Sequence, residues 1–94
     1  MKMPWIMPRT TVALADLTPG ETGTIDRISL PPDDQHFLMR IGLVPGVRIG
    51  FSRRAPLGDP TVYSVDGTEI ALRSETARSI MVWREELALS EDPA

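Results

Sequence analysis

The chain has 94 residues, ten basic and thirteen acidic, with a formal charge of −3 and no cysteine. That length allows one domain with one core, burying about 60 to 65% of the surface an unfolded chain exposes, and leaves little room for a large catalytic cleft. The acidic balance argues against non-specific attraction to nucleic acid or anionic lipid, and the missing thiols exclude a disulfide framework, a thiolate nucleophile and a zinc ribbon.

Residues 1–11 read as an extended N-terminal arm, because Pro4 and Pro8 block helix and push the residues before them toward extended backbone. Trp5, Ile6 and Met7 make this arm apolar. It is too short and proline-broken for a signal peptide, and no run in the chain approaches the roughly 18 apolar residues of a membrane span. A soluble intracellular protein is expected. At the other end, residues 85–94 carry four acids and no base and form an acidic tail.

Between these ends, residues 12–84 read as a single folded unit. Leu14 and Leu17 suit one helical turn, and Thr18-Pro19-Gly20 is a turn with proline at the first corner and glycine at the second. A strand follows over 22–29. Its apolar Ile25 and Ile28 would fall on opposite faces under strict alternation, so a bulge is expected near Asp26 and Arg27.

Pro31-Pro32-Asp33-Asp34 opens a short helix with Asp33 as the expected N-cap and Asp34 complementing the positive end of the dipole. Phe37, Leu38 and Ile41 are its expected buried stripe. Gly42 ends it in the left-handed conformation, with Leu43 folding back over the last turn. Val44-Pro45-Gly46 turns the chain into a strand over 47–53 whose Val47, Ile49 and Phe51 share one face.

After the Ala55-Pro56-Leu57-Gly58-Asp59-Pro60 connection, strands over 61–65 and 69–73 flank Asp66-Gly67, a strong hairpin signal. Ser74 to Ala77 suits a single capped turn, and Ile80 to Trp83 a last strand with Ile80 and Val82 inward. The expected fold is mainly β: a small, bent antiparallel barrel of about five strands with one short inserted α-helix. Closure would hide its edges.

Leu17-Thr18-Pro19-Gly20, Ile41-Gly42-Leu43-Val44-Pro45-Gly46, Ala55-Pro56-Leu57-Gly58-Asp59-Pro60 and Ala71-Leu72-Arg73 followed by Ile80-Met81-Val82 together resemble the FeoA family, the small cytosolic component of bacterial ferrous iron uptake. The resemblance covers about residues 14–83. It implies an SH3-like barrel that acts as a regulator of FeoB, the membrane permease with a cytosolic GTPase domain, at the inner face of the cytoplasmic membrane. The same barrel type resembles the C-terminal domain of iron-dependent repressors, which keeps a divalent metal-binding sensor or carrier as the alternative.

The residue inventory gives no readable catalytic constellation. The one histidine, His36, lies on the helix beside Phe37, and the sole lysine, Lys2, belongs to no phosphate-binding loop, so the chain is not expected to be an enzyme. Asp33 and His36, three apart on a helix, could share a weakly bound divalent metal, although a solvated helix face explains the pair as well. No cofactor is required.

Candidate partner contacts are the apolar loop residues Leu43, Val44, Pro45, Pro56 and Leu57, with Arg48 and Arg54 available to carboxylates of an acidic partner. Leu43 also reads as the helix cap, and Leu57 equally as a plug for one end of the barrel. Self-association stays open, and neither nucleic acid nor membrane insertion is expected.

Overall fold

The computed structural model describes residues 9–85; the apolar stretch of the N-terminal arm and residues 86–94 of the acidic tail lie outside them. Six antiparallel strands form one sheet: β1 (Arg9–Ala13), β2 (Thr22–Ile28), β3 (Arg48–Arg54), β4 (Thr61–Val65), β5 (Thr68–Leu72) and β6 (Ile80–Glu85), in the order β1-β6-β2-β3-β4-β5. Helix α1 (Pro32–Arg40) joins β2 to β3, and a single turn, α2 (Ser74–Ala77), joins β5 to β6.

The mainly β architecture expected from the sequence is present, with two differences. Residues 9–11 are not part of a free arm but begin β1, which pairs with β6 from Arg9↔Glu85 to Ala13↔Met81. The ladder is also open, since β1 and β5 are its two ends and do not pair with each other. One long-range bond spans that opening: the Tyr63 hydroxyl of β4 donates to the Leu14 carbonyl just after β1, at 3.4 Å.

Two register shifts curl the sheet. The first falls in β2 between Ile25 and Arg27, where Asp26 is the extra residue, and it reconciles a fully buried Ile25 with an Ile28 that also packs on the core. The second falls in β3 between Phe51 and Arg53. Gly23 lets β6 come close, because a Cβ there would stand 3.0 Å from the Trp83 carbonyl oxygen.

The turns follow their proline and glycine signals. Glu21 N–H donates to the Thr18 carbonyl and Val47 N–H to that of Val44, closing turns whose third residues, Gly20 and Gly46, have φ of 86° and 95°. Asp66 and Gly67, with φ of 53° and 82°, make the two-residue hairpin loop between β4 and β5.

The core gathers Leu14, Leu17, Ile25, Ile49, Tyr63, Ile80 and Val82 from every part of the chain around Leu38 of α1. Each such aliphatic side chain contributes about 1.5–3 kcal/mol on burial. Phe51 and Tyr63 meet edge to face with ring centroids 6.0 Å apart.

Helix α1 departs most from expectation. Its N-cap is Pro31, with Pro32 in the first turn, so Asp33 lies inside the helix and makes no capping bond. Only Leu38 is buried; Phe37 is 56% and Ile41 37% exposed. A nine-residue helix lying at the margin of the sheet meets the core through one side chain, Leu38. The end of α1 does match: Gly42, φ 96°, donates to Met39 O and Leu43 N–H to Leu38 O at 2.9 Å, the six-to-one bond of a left-handed cap, with Leu43 fully buried behind it.

Candidate functional site

The residues expected to meet a partner separate into two groups at the two ends of β3. Val44, Pro45 and Arg48 lie at its start, and Arg54, Pro56 and Leu57 at its end, about 20 Å apart by the rise of an extended strand. They do not form one patch. Leu43 leaves the set altogether: it is fully buried as the apolar partner of the helix cap.

At the start of β3, Val44 is half-buried, Pro45 exposed, and the Arg48 guanidinium donates to Thr22 Oγ1 at 3.2 Å. Polar and apolar neighbours are mixed at this end. A cleft of about 450 Å³ opens between Arg48, Ile41 and the Asp66 turn.

At the other end, the loop after β3 carries Leu57 at its tip with 95% of its surface exposed, so it plugs nothing. The loop is nevertheless well defined. Gly58 N–H donates to the Ala55 carbonyl at 2.8 Å, and Ala55 N–H to that of Pro60 at 3.0 Å. Asp59 then anchors it to α2: Oδ1 accepts from Ser74 N–H and Oδ2 from the Ser74 hydroxyl, both at 3.0 Å.

Local sequence pattern alone does not assign that anchor. Asp59 read as turn material before Pro60, and Ser74 as its own cap, whereas the N-cap of α2 is Arg73 and the capping carboxylate comes from fifteen residues upstream. An acid beside proline in a connection that otherwise holds apolar residues was the available hint.

Arg54 adjoins the same loop, with its guanidinium carbon 5.1 Å from the centroid of the Phe51 ring. That stacking holds the charge over β3, at the strand end from which the loop departs, at little entropic cost. An exposed leucine and a proline on a braced loop, with a guanidinium held on the adjoining strand, make a contact element of mixed character.

Charged pairs elsewhere brace the sheet. Arg84 of β6 reaches both carboxylate oxygens of Glu21 at 2.9 and 3.0 Å, and Glu21 also accepts from Thr18 N–H at 2.8 Å. That backbone donor, with Arg84 assisting, holds the Glu21 carboxyl below the ordinary glutamate value. Glu69 is likewise lowered, by Arg53 at 2.8 Å and then by Ser52 at 3.0 Å. Burial pushes the Tyr63 phenol up.

Asp33 and His36 lie exposed in the first turns of α1, and no group of three or more potential ligating side chains occurs among the described residues. Nor is any helix there long and apolar enough to cross a membrane.

The comparisons with known proteins agree with this architecture. The FeoA domain model matches residues 12–84. Iron(II) transport protein A from Clostridium thermocellum is 34% identical over 78% of this chain, with a TM-score of 0.73, and the match spans 45% of that protein's length. A manganese-dependent transcriptional repressor in complex with manganese is 26% identical over 79% of this chain and 36% of its own, with a TM-score of 0.72. The Stenotrophomonas maltophilia FeoA complexed with zinc, described as an SH3 domain protein, shares the fold at 24% identity and a TM-score of 0.64, over 76% of this chain and 88% of that one. No curated protein matches the chain. With the model match running from β1 to β6 and the SH3-like sheet in place, the chain belongs to the FeoA family.

Proposed function

We propose that the protein is a non-catalytic binding module of bacterial ferrous iron transport, which docks on the cytosolic side of the FeoB permease and changes its activity. Family membership supplies the system, and the braced loop after β3 supplies the contact. The observation that carries the reading is Leu57: an almost wholly exposed leucine on a loop tied down at both ends is already ordered before it meets a partner. Pre-ordering spares the side-chain and loop entropy that binding otherwise costs.

Pro56 and Leu57 enter an apolar pocket of the partner while Arg54 meets a carboxylate at its rim. Any control of transport then follows from unequal affinity for two FeoB conformations, since a ligand that binds both equally shifts neither.

Isothermal titration of the chain against the FeoB cytosolic domain and against the full permease tests this. Leu57→Asp should weaken binding at least about tenfold while the isolated protein unfolds at an unchanged denaturant midpoint, because an exposed tip carries little stability. Absence of binding in every nucleotide state, or equal affinity of the variant, rejects the reading.

A further inference from the structure

Strand β5 is an end of the sheet, and its outer edge has no backbone partner among the described residues. In the hairpin, Val65↔Thr68 closes the loop, Tyr63 faces Ile70 and Thr61 faces Leu72, so the backbone groups of Thr68, Ile70 and Leu72 turn toward β4. The N–H and C=O groups of Glu69 and Ala71 therefore point away from the sheet. Four hydrogen-bonding groups stand in a row.

Natural edges are usually guarded by charge, and here the guard is withdrawn. The only charged side chain of β5, Glu69, is folded back onto its own sheet by Ser52 and Arg53. Helix α1 runs beside the same edge in the opposite direction. A cleft of about 200 Å³ separates Phe37 from Ala71 and Arg73, and the larger cleft separates Ile41 from Thr68. The exposed flank of α1 that carries Phe37 and Ile41 thus lines the open edge along its length.

We infer that β5 is a self-association edge, pairing antiparallel with β5 of a second copy of this chain about a two-fold axis at Ile70. The occupant follows from register. In that alignment each Glu69 faces the other copy's Ala71, and all four outward groups on each copy are satisfied. Moving the axis to Glu69 would set two carboxylates opposite each other. Moving it to Ala71 would bring in Arg73, whose carbonyl already accepts from Thr76 and Ala77. Only the Ile70 axis uses every free group and opposes no like charges.

That axis also puts the two Ile70 side chains in a non-hydrogen-bonded pair, where cross-strand side chains approach closest. With both copies' inner faces on one side, the two α1 flanks come together above the joined strands and cover Phe37 and Ile41. A five-residue strand is about 17 Å long, and an interface of this size belongs to the small, reversible class. The dimer is concentration-dependent. The loop of Leu57 is fastened at Ser74, just past β5, but supplies no residue to the paired strands, so docking on FeoB is read through Leu57 and the dimer through Ala71.

Sedimentation of the full chain over a wide concentration range should show a monomer–dimer equilibrium. Ala71→Pro removes an N–H that points away from the fold and should abolish the dimer, with near-UV circular dichroism confirming an intact monomer. Phe37→Glu, on an exposed helix flank, should weaken it independently. Because the chain has no cysteine, Ile70→Cys should oxidise to a covalent dimer, whereas Thr11→Cys on the free side of β1 should not. A chain monomeric at every concentration, a dimer indifferent to Ala71→Pro and Phe37→Glu, or cross-linking at Thr11 in place of Ile70 overturns the inference. So does loss of the dimer on Trp5→Ala, which would assign the contact to the N-terminal arm.

Discussion

Asp59 holds Ser74 with both carboxylate oxygens, one on the backbone N–H and one on the hydroxyl, each at 3.0 Å. Through this pair a loop that carries an exposed leucine is fastened to the first turn of α2, and the turn gains the cap that its own sequence does not provide. Asp59→Ala should lower stability by about 1 kcal/mol, read from urea denaturation. It should also weaken docking on FeoB, because a released loop must be ordered again on binding. Asp59→Asn, which keeps one acceptor oxygen, should fall between.

Gly42 is held at φ 96° with nothing within 4 Å of the position a Cβ would take. The cost of Gly42→Ala is therefore backbone strain alone, about 1–2 kcal/mol. A D-alanine at this position, introduced by chemical synthesis, should restore the denaturation midpoint. Leu38→Ala, by contrast, empties the one anchor of α1 and should cost about 2–5 kcal/mol.

Acid lability should centre on Glu21 and Glu69, whose carboxyls both sit below the ordinary glutamate value in the folded protein. A lowered folded value means that the charged forms favour the fold above the unfolded pKa, and this contribution disappears as pH falls through the folded one. Stability measured by urea titration should thus decline as pH drops below the usual glutamate range. In Glu21→Gln the decline should be shallower and the stability at neutral pH lower, while Arg84 loses its partner.

At alkaline pH the sign reverses for Tyr63. Its phenol is raised by burial, so the unfolded chain gives up the proton first, and stability present below about pH 10 is lost as pH climbs beyond it. Tyr63→Phe should remove that alkaline loss. At neutral pH it should cost less than about 1 kcal/mol, because the bond it deletes is a long one of 3.4 Å.

Features set by near neighbours in the chain were legible from sequence. The left-handed cap at Gly42, the turns around Gly20 and Gly46, the Asp66-Gly67 hairpin and the bulge at Asp26 all follow from residues within a few positions of one another. Features set across the fold were not. The N-terminal part of β1 pairs with residues more than seventy positions away, and nothing local to Arg9 distinguishes a strand from an extended arm. Helical spacing predicts burial of Phe37 and Ile41, yet where α1 sits against the sheet decides how wide a stripe it buries, and only Leu38 reaches the core. Among the contact residues, exposure sorted what composition could not: Leu43 went inside and Leu57 outside, although both are leucines next to proline-glycine turns.

Among the described strands, the latest in sequence lies between the two earliest. With β6 inserted between β1 and β2, a nascent chain still missing its final dozen described residues can pair β2 to β5 but leaves β1 with nothing to hold and one side of β2 bare. Closure of the sheet must therefore wait until β6 has been synthesised, and a ribosome-tethered fragment stopped before Ile80 should stay open to proteases that a chain including β6 resists.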